Sequence, residues 1–179
     1  MGSSSDSRIM NGAAEILDKF NVKHEDQIIS AHRTPTRLEE YAKHAEKSNF
    51  KVIIAGAGGA AHLPGMIASH TFIPVIGVPI LVYNDKQGKK RGKTKFSAFA
   101  GLDSLLSISE MPTGSPVVTV GINKASNAGI YATKILANEF VDLKKMLKRF
   151  KSDQHDSVLK ESELLKKQGL RRFVNKRFK

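Results

Sequence analysis

At 179 residues, 40% of them hydrophobic, the chain is long enough for one domain with a substantial core. It contains no cysteine and no apolar run approaching about eighteen residues, which excludes a disulfide scaffold and a membrane-spanning helix and leads us to expect a reduced, cytoplasmic setting. The net charge of +12 is uneven: residues 81–100 carry six Lys or Arg against one acid, residues 140–179 thirteen against five, and the remainder ten against eleven. A nearly neutral domain with two basic appendages is therefore expected, and neither a membrane nor a nucleic acid is expected as a partner.

The chain opens on Gly2-Ser3-Ser4-Ser5-Asp6. Ile9, Ala13, Ile16, Leu17 and Phe20 then share one face of a helix beginning near Ser7. Small hydroxyl residues ahead of a helix leave backbone amides free to cradle a phosphate, with the helix dipole assisting. Asp6 can cap that helix or bind a ribose hydroxyl; composition alone also admits a vector-derived leader here.

Ile28 and Ile29 predict a short strand that delivers Ser30-Ala31-His32-Arg33-Thr34-Pro35 at its carboxyl edge. Thr34 can cap a helix whose first position is Pro35, where the missing amide hydrogen costs nothing. Leu38, Tyr41, Ala42 and Ala45 form that helix's buried stripe. A lone histidine in such a turn is ordinarily structural. Beside Arg33 and Ser30, His32 becomes a candidate acid/base next to an anion clamp.

Val52, Ile53, Ile54 and Ala55 suit a strand buried on both faces. The next seven residues hold three glycines and three alanines, so no large side chain keeps a ligand from the backbone. Such a loop at the carboxyl end of a parallel strand is where open α/β sheets bind ligands, although a Gly/Ala run also serves as a plain strand-to-helix turn. His62-Leu63-Pro64-Gly65 follows as a turn.

Beyond Pro79 the chain carries LVYNDKQGKKRGKTKFSAFA, an exposed loop with Lys86, Lys89, Lys90, Arg91, Lys93 and Lys95 among glycines. Its few aromatics argue for a tolerated surface insertion over a nucleic-acid site. A helix is predicted from Asn127 to about Phe150, with Leu143, Leu147 and Phe150 on one stripe, and residues 170–179 read as a frayed basic end.

Taken together, the three glycine-, serine- and histidine-bearing segments closely resemble class I 5-(carboxyamino)imidazole ribonucleotide mutase, the phosphoribosylaminoimidazole carboxylase family of purine biosynthesis. The resemblance rests on Gly2 to Asp6, Ser30 to Pro35 and Ala55 to Met66. Pro74 to Pro79, Asp103-Ser104-Leu105, Met111-Pro112 with Gly114 and Pro116, and Asn127-Ala128-Gly129 support it. The first of these matches places Gly2 to Asp6 in the family's first loop rather than in a leader. Asn127 to Gly129 and the stretch from His155 through Leu165 to Gly169 look like the end of the plant and fungal bifunctional enzyme, in which an ATP-grasp carboxylase domain precedes this one.

The resemblance implies a flavodoxin-like, three-layer, doubly wound parallel sheet, a homo-octamer with active sites between subunits, and no cofactor or metal. It implies transfer of a carboxylate from the exocyclic nitrogen of the imidazole ribonucleotide to a ring carbon, with carbon dioxide released and held in the pocket between the steps. His32 would be the acid/base, with His62 as a second catalytic histidine in a supporting role. Ser3, Ser5, Asp6, Ser30 and Arg33 would bind substrate. Gly56, Ala57, Gly58, Gly59 and Ala60 would close over the imidazole. Arg33 favours the mutase over direct carbon-dioxide-dependent carboxylation of aminoimidazole ribonucleotide; an inactive basic assembly or nucleic-acid-binding relative is the alternative from another class.

The family has an apolar strand ahead of the first loop, whereas only Met1 precedes Gly2 here. We expect that strand to be missing, through truncation, through excision from a bifunctional chain or with another segment in its place, truncation being preferred. The expected organisation is a catalytic domain over 1–150, with the basic insertion near 81–100, and a basic helical extension over 151–179.

Overall fold

The computed structural model describes residues 1–84, 95–96 and 99–177; Lys86, Lys89, Lys90, Arg91 and Lys93 of the basic insertion lie outside the described residues. The chain divides into two compact units, Met1–Leu136 and Ala137–Lys179.

In the first unit, β1 (Ile53–Gly58), β2 (Val75–Ile80) and β5 (Val118–Thr119) form a parallel sheet in the order β1-β2-β5. Ile53 lies opposite Val75, Gly58 opposite Ile80, and Ile76 opposite Val118. β1 runs three residues beyond Ala55, where the sequence reading ended it. The ladder to β2 uses backbone groups alone, so a run of Gly and Ala continues a strand whenever its neighbour continues too.

Helices cover both faces. Leu38 and Ala45 of α2 (Pro35–Lys47), Leu63 and Ile67 of α3 (Leu63–Ala68) and Ile108 of α4 (Leu102–Ser109) pack with Ile53, Ala55, Ala57 and Val75. On the other face Met10, Ala13 and Leu17 of α1 (Ser7–Lys19) and Ala125, Ala128 and Ala132 of α5 (Ala125–Leu136) meet Ile76, Val78 and Ile80. This is the three-layer, doubly wound, flavodoxin-like arrangement that the motifs imply. α1 starts at Ser7 as its spacing predicts, but Met10 is buried where Ile9 and Ile16 are only half-buried.

α1 and α5 approach closely at Gly129. A Cβ there would lie 2.9 Å from the carbonyl oxygen of Ala13 and 2.9 Å from Cβ of Ile16. Backbone cannot yield as a side-chain tip can, so Gly129→Ala is expected to cost ~1–3 kcal/mol as an overpacking change. Denaturant melts of the two proteins check this, and an unchanged midpoint would disprove the close approach.

Three local expectations are corrected. Ile28 and Ile29 do not form a strand: Ile29 donates to the Met1 carbonyl at 2.9 Å, and the Met1 amino group donates to the Gln27 carbonyl at 2.8 Å. Gly2 in turn donates to the Gly56 carbonyl at 3.0 Å. Met1–Gly2 thus bridges residues 27–29 to β1, and no longer strand lies between them among the described residues. Thr34 occupies the cap position of α2 without a side-chain cap bond. Its hydroxyl turns back to Ser30 instead, donating to that carbonyl at 2.9 Å and accepting from that amide at 3.0 Å.

The helix read from Asn127 to about Phe150 is two helices. α5 ends at Leu136 and α6 begins at Val141. No Gly or Pro marks the break. In the second unit α6 (Val141–Gln168) has no buried residue and ends at Gly169, whose φ of +72° redirects the chain into α7 (Leu170–Arg177). No described helix is long and apolar enough to cross a membrane. Tyr83–Asn84 and Lys95–Phe96, at the base of the insertion, pair as antiparallel strands β3 and β4.

Candidate active site

A cleft of about 330 Å³ opens where the carboxyl ends of β1 and β2 meet the first loop and the turn before α2. The first loop supplies Gly2, Ser3, Ser5 and Asp6; the turn supplies Ser30, Ala31, His32 and Arg33. Ala57, Gly58 and Ala60 form one wall, continued by His62 and Leu63, and Val82 follows from β2. Gly56 and Gly59, expected to line the site, do not: Gly56 is buried and its carbonyl is spent on Gly2, while Gly59 follows the end of β1. Sequence reasoning missed Gly2, Ala31, Leu63 and Val82. Val82 packs over Gly58, where a Cβ would stand 2.5 Å from it.

The first loop is a short 3-10 turn, Ser4–Asp6, closed as a reciprocal capping box. The Ser3 amide donates to Asp6 Oδ2 at 3.0 Å, and the Ser5 amide donates to Ser3 Oγ at 3.3 Å. The Ser5 hydroxyl donates to Ser3 Oγ at 3.0 Å. Asp6 is only 6% exposed. Burial raises its pKa above the usual aspartate value, against the opposing pull of the Ser3 amide, the Ser5 hydroxyl, the Met1 ammonium and the Gly2 amide. A carboxylate is thus fixed at the cleft floor with its oxygens oriented by the backbone.

Ser30 Oγ accepts from the Arg33 amide at 3.3 Å and from Arg33 Nε at 3.2 Å. The guanidinium is held by one edge, leaving its two terminal nitrogens for a ligand oxygen in the paired geometry that anions favour. His32, exposed in the same turn, meets His62 from the residue ahead of α3: Nε2 of His32 and Nδ1 of His62 are 2.8 Å apart. The rings stand edge to face, with centroids 4.9 Å apart and planes at 77°.

A nucleotide-sized cleft at the sheet's carboxyl edge, with a buried carboxylate, an edge-anchored arginine and an exposed histidine, defines an α/β enzyme acting on a small anionic substrate. The particular family follows from comparison. Residues 1–157 match the AIR carboxylase family, and the chain belongs to it. It is 48% identical over 177 residues to the N5-carboxyaminoimidazole ribonucleotide mutase of Thermotoga maritima, covering 99% of this chain and 95% of that one. The mutase of Pyrococcus horikoshii is 49% identical over 175 residues, covering 98% and 91%. The chloroplastic phosphoribosylaminoimidazole carboxylase of Vigna aconitifolia is 46% identical over 169 residues, which are 94% of this chain but 28% of that protein. The crystal structure of Treponema denticola PurE superposes with a TM-score of 0.77 at 24% identity, covering 93% of this chain and 95% of that one, and bears out the fold.

Proposed function

We propose that the protein is an N5-carboxyaminoimidazole ribonucleotide mutase of purine biosynthesis, moving the substrate's carboxylate from the exocyclic nitrogen to the ring carbon. The observation that carries this reading is the convergence of Ser3, Asp6, Ser30, His32 and Arg33 from two loops in one cleft, in a chain so close to named mutases. The first-loop amides of Gly2, Ser3, Ser5 and Asp6 are spent within the protein, so Arg33 and the Ser3 hydroxyl bind phosphate, and Asp6 accepts from a ribose hydroxyl.

His32 protonates the exocyclic nitrogen as its bond to the carboxylate breaks, releasing carbon dioxide. The ring carbon attacks that carbon dioxide, and its displaced proton returns to His32. One proton leaves and one comes back, so the enzyme is restored without a cofactor. Ala57, Gly58 and Ala60 offer a small wall against which carbon dioxide is held away from water. Assembly into a homo-octamer in the cytoplasm belongs to this reading, and Phe72, wholly exposed, and Phe99, 67% exposed, supply apolar surface suited to contacts between copies.

The test is conversion of N5-carboxyaminoimidazole ribonucleotide into its ring-carboxylated isomer, run beside aminoimidazole ribonucleotide with dissolved carbon dioxide. Turnover of the first and not the second is expected. Preference for the second would make the protein a direct carboxylase, and turnover of neither by a folded protein would overturn the reading.

A further inference from the structure

We propose that His62 is a positioning residue that holds His32 in one tautomer, so that His32 works through Nδ1 in both proton transfers. The proposal rests on the mutase reading above. Its basis is the 2.8 Å contact between His32 Nε2 and His62 Nδ1, made by side chains thirty residues apart and set by two different elements. Among the described residues, neither His32 Nδ1 nor His62 Nε2 has a hydrogen-bond partner. The pair therefore shares one proton between its inner nitrogens and leaves His32 Nδ1 for substrate.

The shared proton has two seats, and they are not equivalent in the cycle. With the proton on His62 Nδ1, His32 carries its own proton on Nδ1, and giving that up to the substrate would leave an anionic ring. With the proton on His32 Nε2, donated to His62, His32 bearing a second proton on Nδ1 is an imidazolium. It gives the Nδ1 proton to the exocyclic nitrogen and becomes a neutral ring. The bare Nδ1 then accepts the proton that leaves the ring carbon. Only this seat closes the cycle with no proton drawn from water, and His62 keeps its Nε2 proton throughout.

A carboxylate in the place of His62 would orient the ring equally well but would also hold the imidazolium's proton, as it does in hydrolytic triads. A neutral partner orients without that penalty, which suits a group that must both give and take a proton in one turnover. The other charged groups facing the cleft are Asp6 from the first turn and Arg33 from the turn of His32 itself, of opposite sign.

The experiment follows His32 by nitrogen-15 NMR of histidine-labelled protein, with kcat, KM and pH profiles for three variants. In the wild type the neutral ring of His32 is expected to carry its proton on Nε2. In His62→Leu both tautomers are expected, with kcat lower by ~10–100-fold and KM nearly unchanged. His62→Asn, whose side-chain carbonyl reaches the position of Nδ1, is expected to restore the tautomer and most of the rate. His62→Asp is expected to move the alkaline limb of the profile to higher pH, because the first step needs the proton that the carboxylate retains. An unchanged His32 tautomer in His62→Leu would overturn the proposal, as would an asparagine variant as slow as the leucine one or an aspartate profile superimposing on the wild type. Should the leucine variant not fold, the asparagine and aspartate variants decide. Absence of wild-type turnover would sink the mutase reading, while the NMR spectra would still decide the pairing.

Discussion

Replacing His32 by asparagine is expected to lower kcat by about a thousandfold or more while leaving KM and the melting temperature nearly unchanged. General acid–base assistance contributes ~10²–10⁴ to a single step, and His32 is assigned to two successive proton transfers by one side chain. Asparagine keeps a polar group of similar reach but can neither give nor take the proton near neutrality. The fold has little stake in this position. His32 is exposed, and its only hydrogen bond described is the one to His62. Steady-state kinetics beside thermal melts and light scattering separate these effects. A variant within tenfold of the wild type would remove His32 from the chemistry, whereas a variant that melts early or changes its assembly would show that the turn depends on this side chain.

The parts of this protein legible in the sequence are those fixed by local pattern. Ser7 as a helix start, Pro35 at a first helical position and the stripe of Leu38, Ala42 and Ala45 follow from spacing and capping preference. The cleft residues Ser3, Asp6, Ser30, His32, Arg33 and His62 come from compact motifs, and the fold does bring them together. What escaped depends on partners distant in the chain. Gly56–Gly58 are strand because β2 runs alongside them, which no glycine announces. Ile28 and Ile29 look like a strand, yet among the described residues Met1 alone pairs with them, through the Ile29 amide. Thr34 has the identity of a cap but spends its hydroxyl on Ser30. Val82 carries no chemical signature and lines the cleft only because it leaves the end of β2. The rule that ligands sit at the carboxyl ends of central strands would have found it. The break after Leu136 has no sequence signal we can name.

Asp6 illustrates how such a site trades stability for function. Its carboxyl is buried and its pKa raised, so the folded protein holds the proton more tightly than the unfolded chain does. The contribution to stability is therefore fully present below about pH 3.8, the ordinary aspartate value, and is lost as the pH rises through the higher folded-state value. At neutral pH the ionised group is a net burden on the fold. Asp6→Asn relieves that burden and keeps an acceptor for the Ser3 amide, while its amide nitrogen faces the Ser5 hydroxyl, which can accept. The variant is expected to be more stable than the wild type at pH 7 by about 1 kcal/mol, a usual size for relieving a functional residue. The gain should vanish as the pH falls through the aspartate's titration. Substrate should suffer. A hydrogen bond to a charged acceptor contributes ~1.5–3 kcal/mol, so kcat/KM is expected to fall by roughly ten- to hundredfold. Melts across pH 4–7 and steady-state kinetics of the two proteins test both halves. A variant less stable than the wild type at pH 7 would show that the ionised carboxylate supports the fold, and unchanged kcat/KM would mean that Asp6 shapes the first loop without touching the substrate.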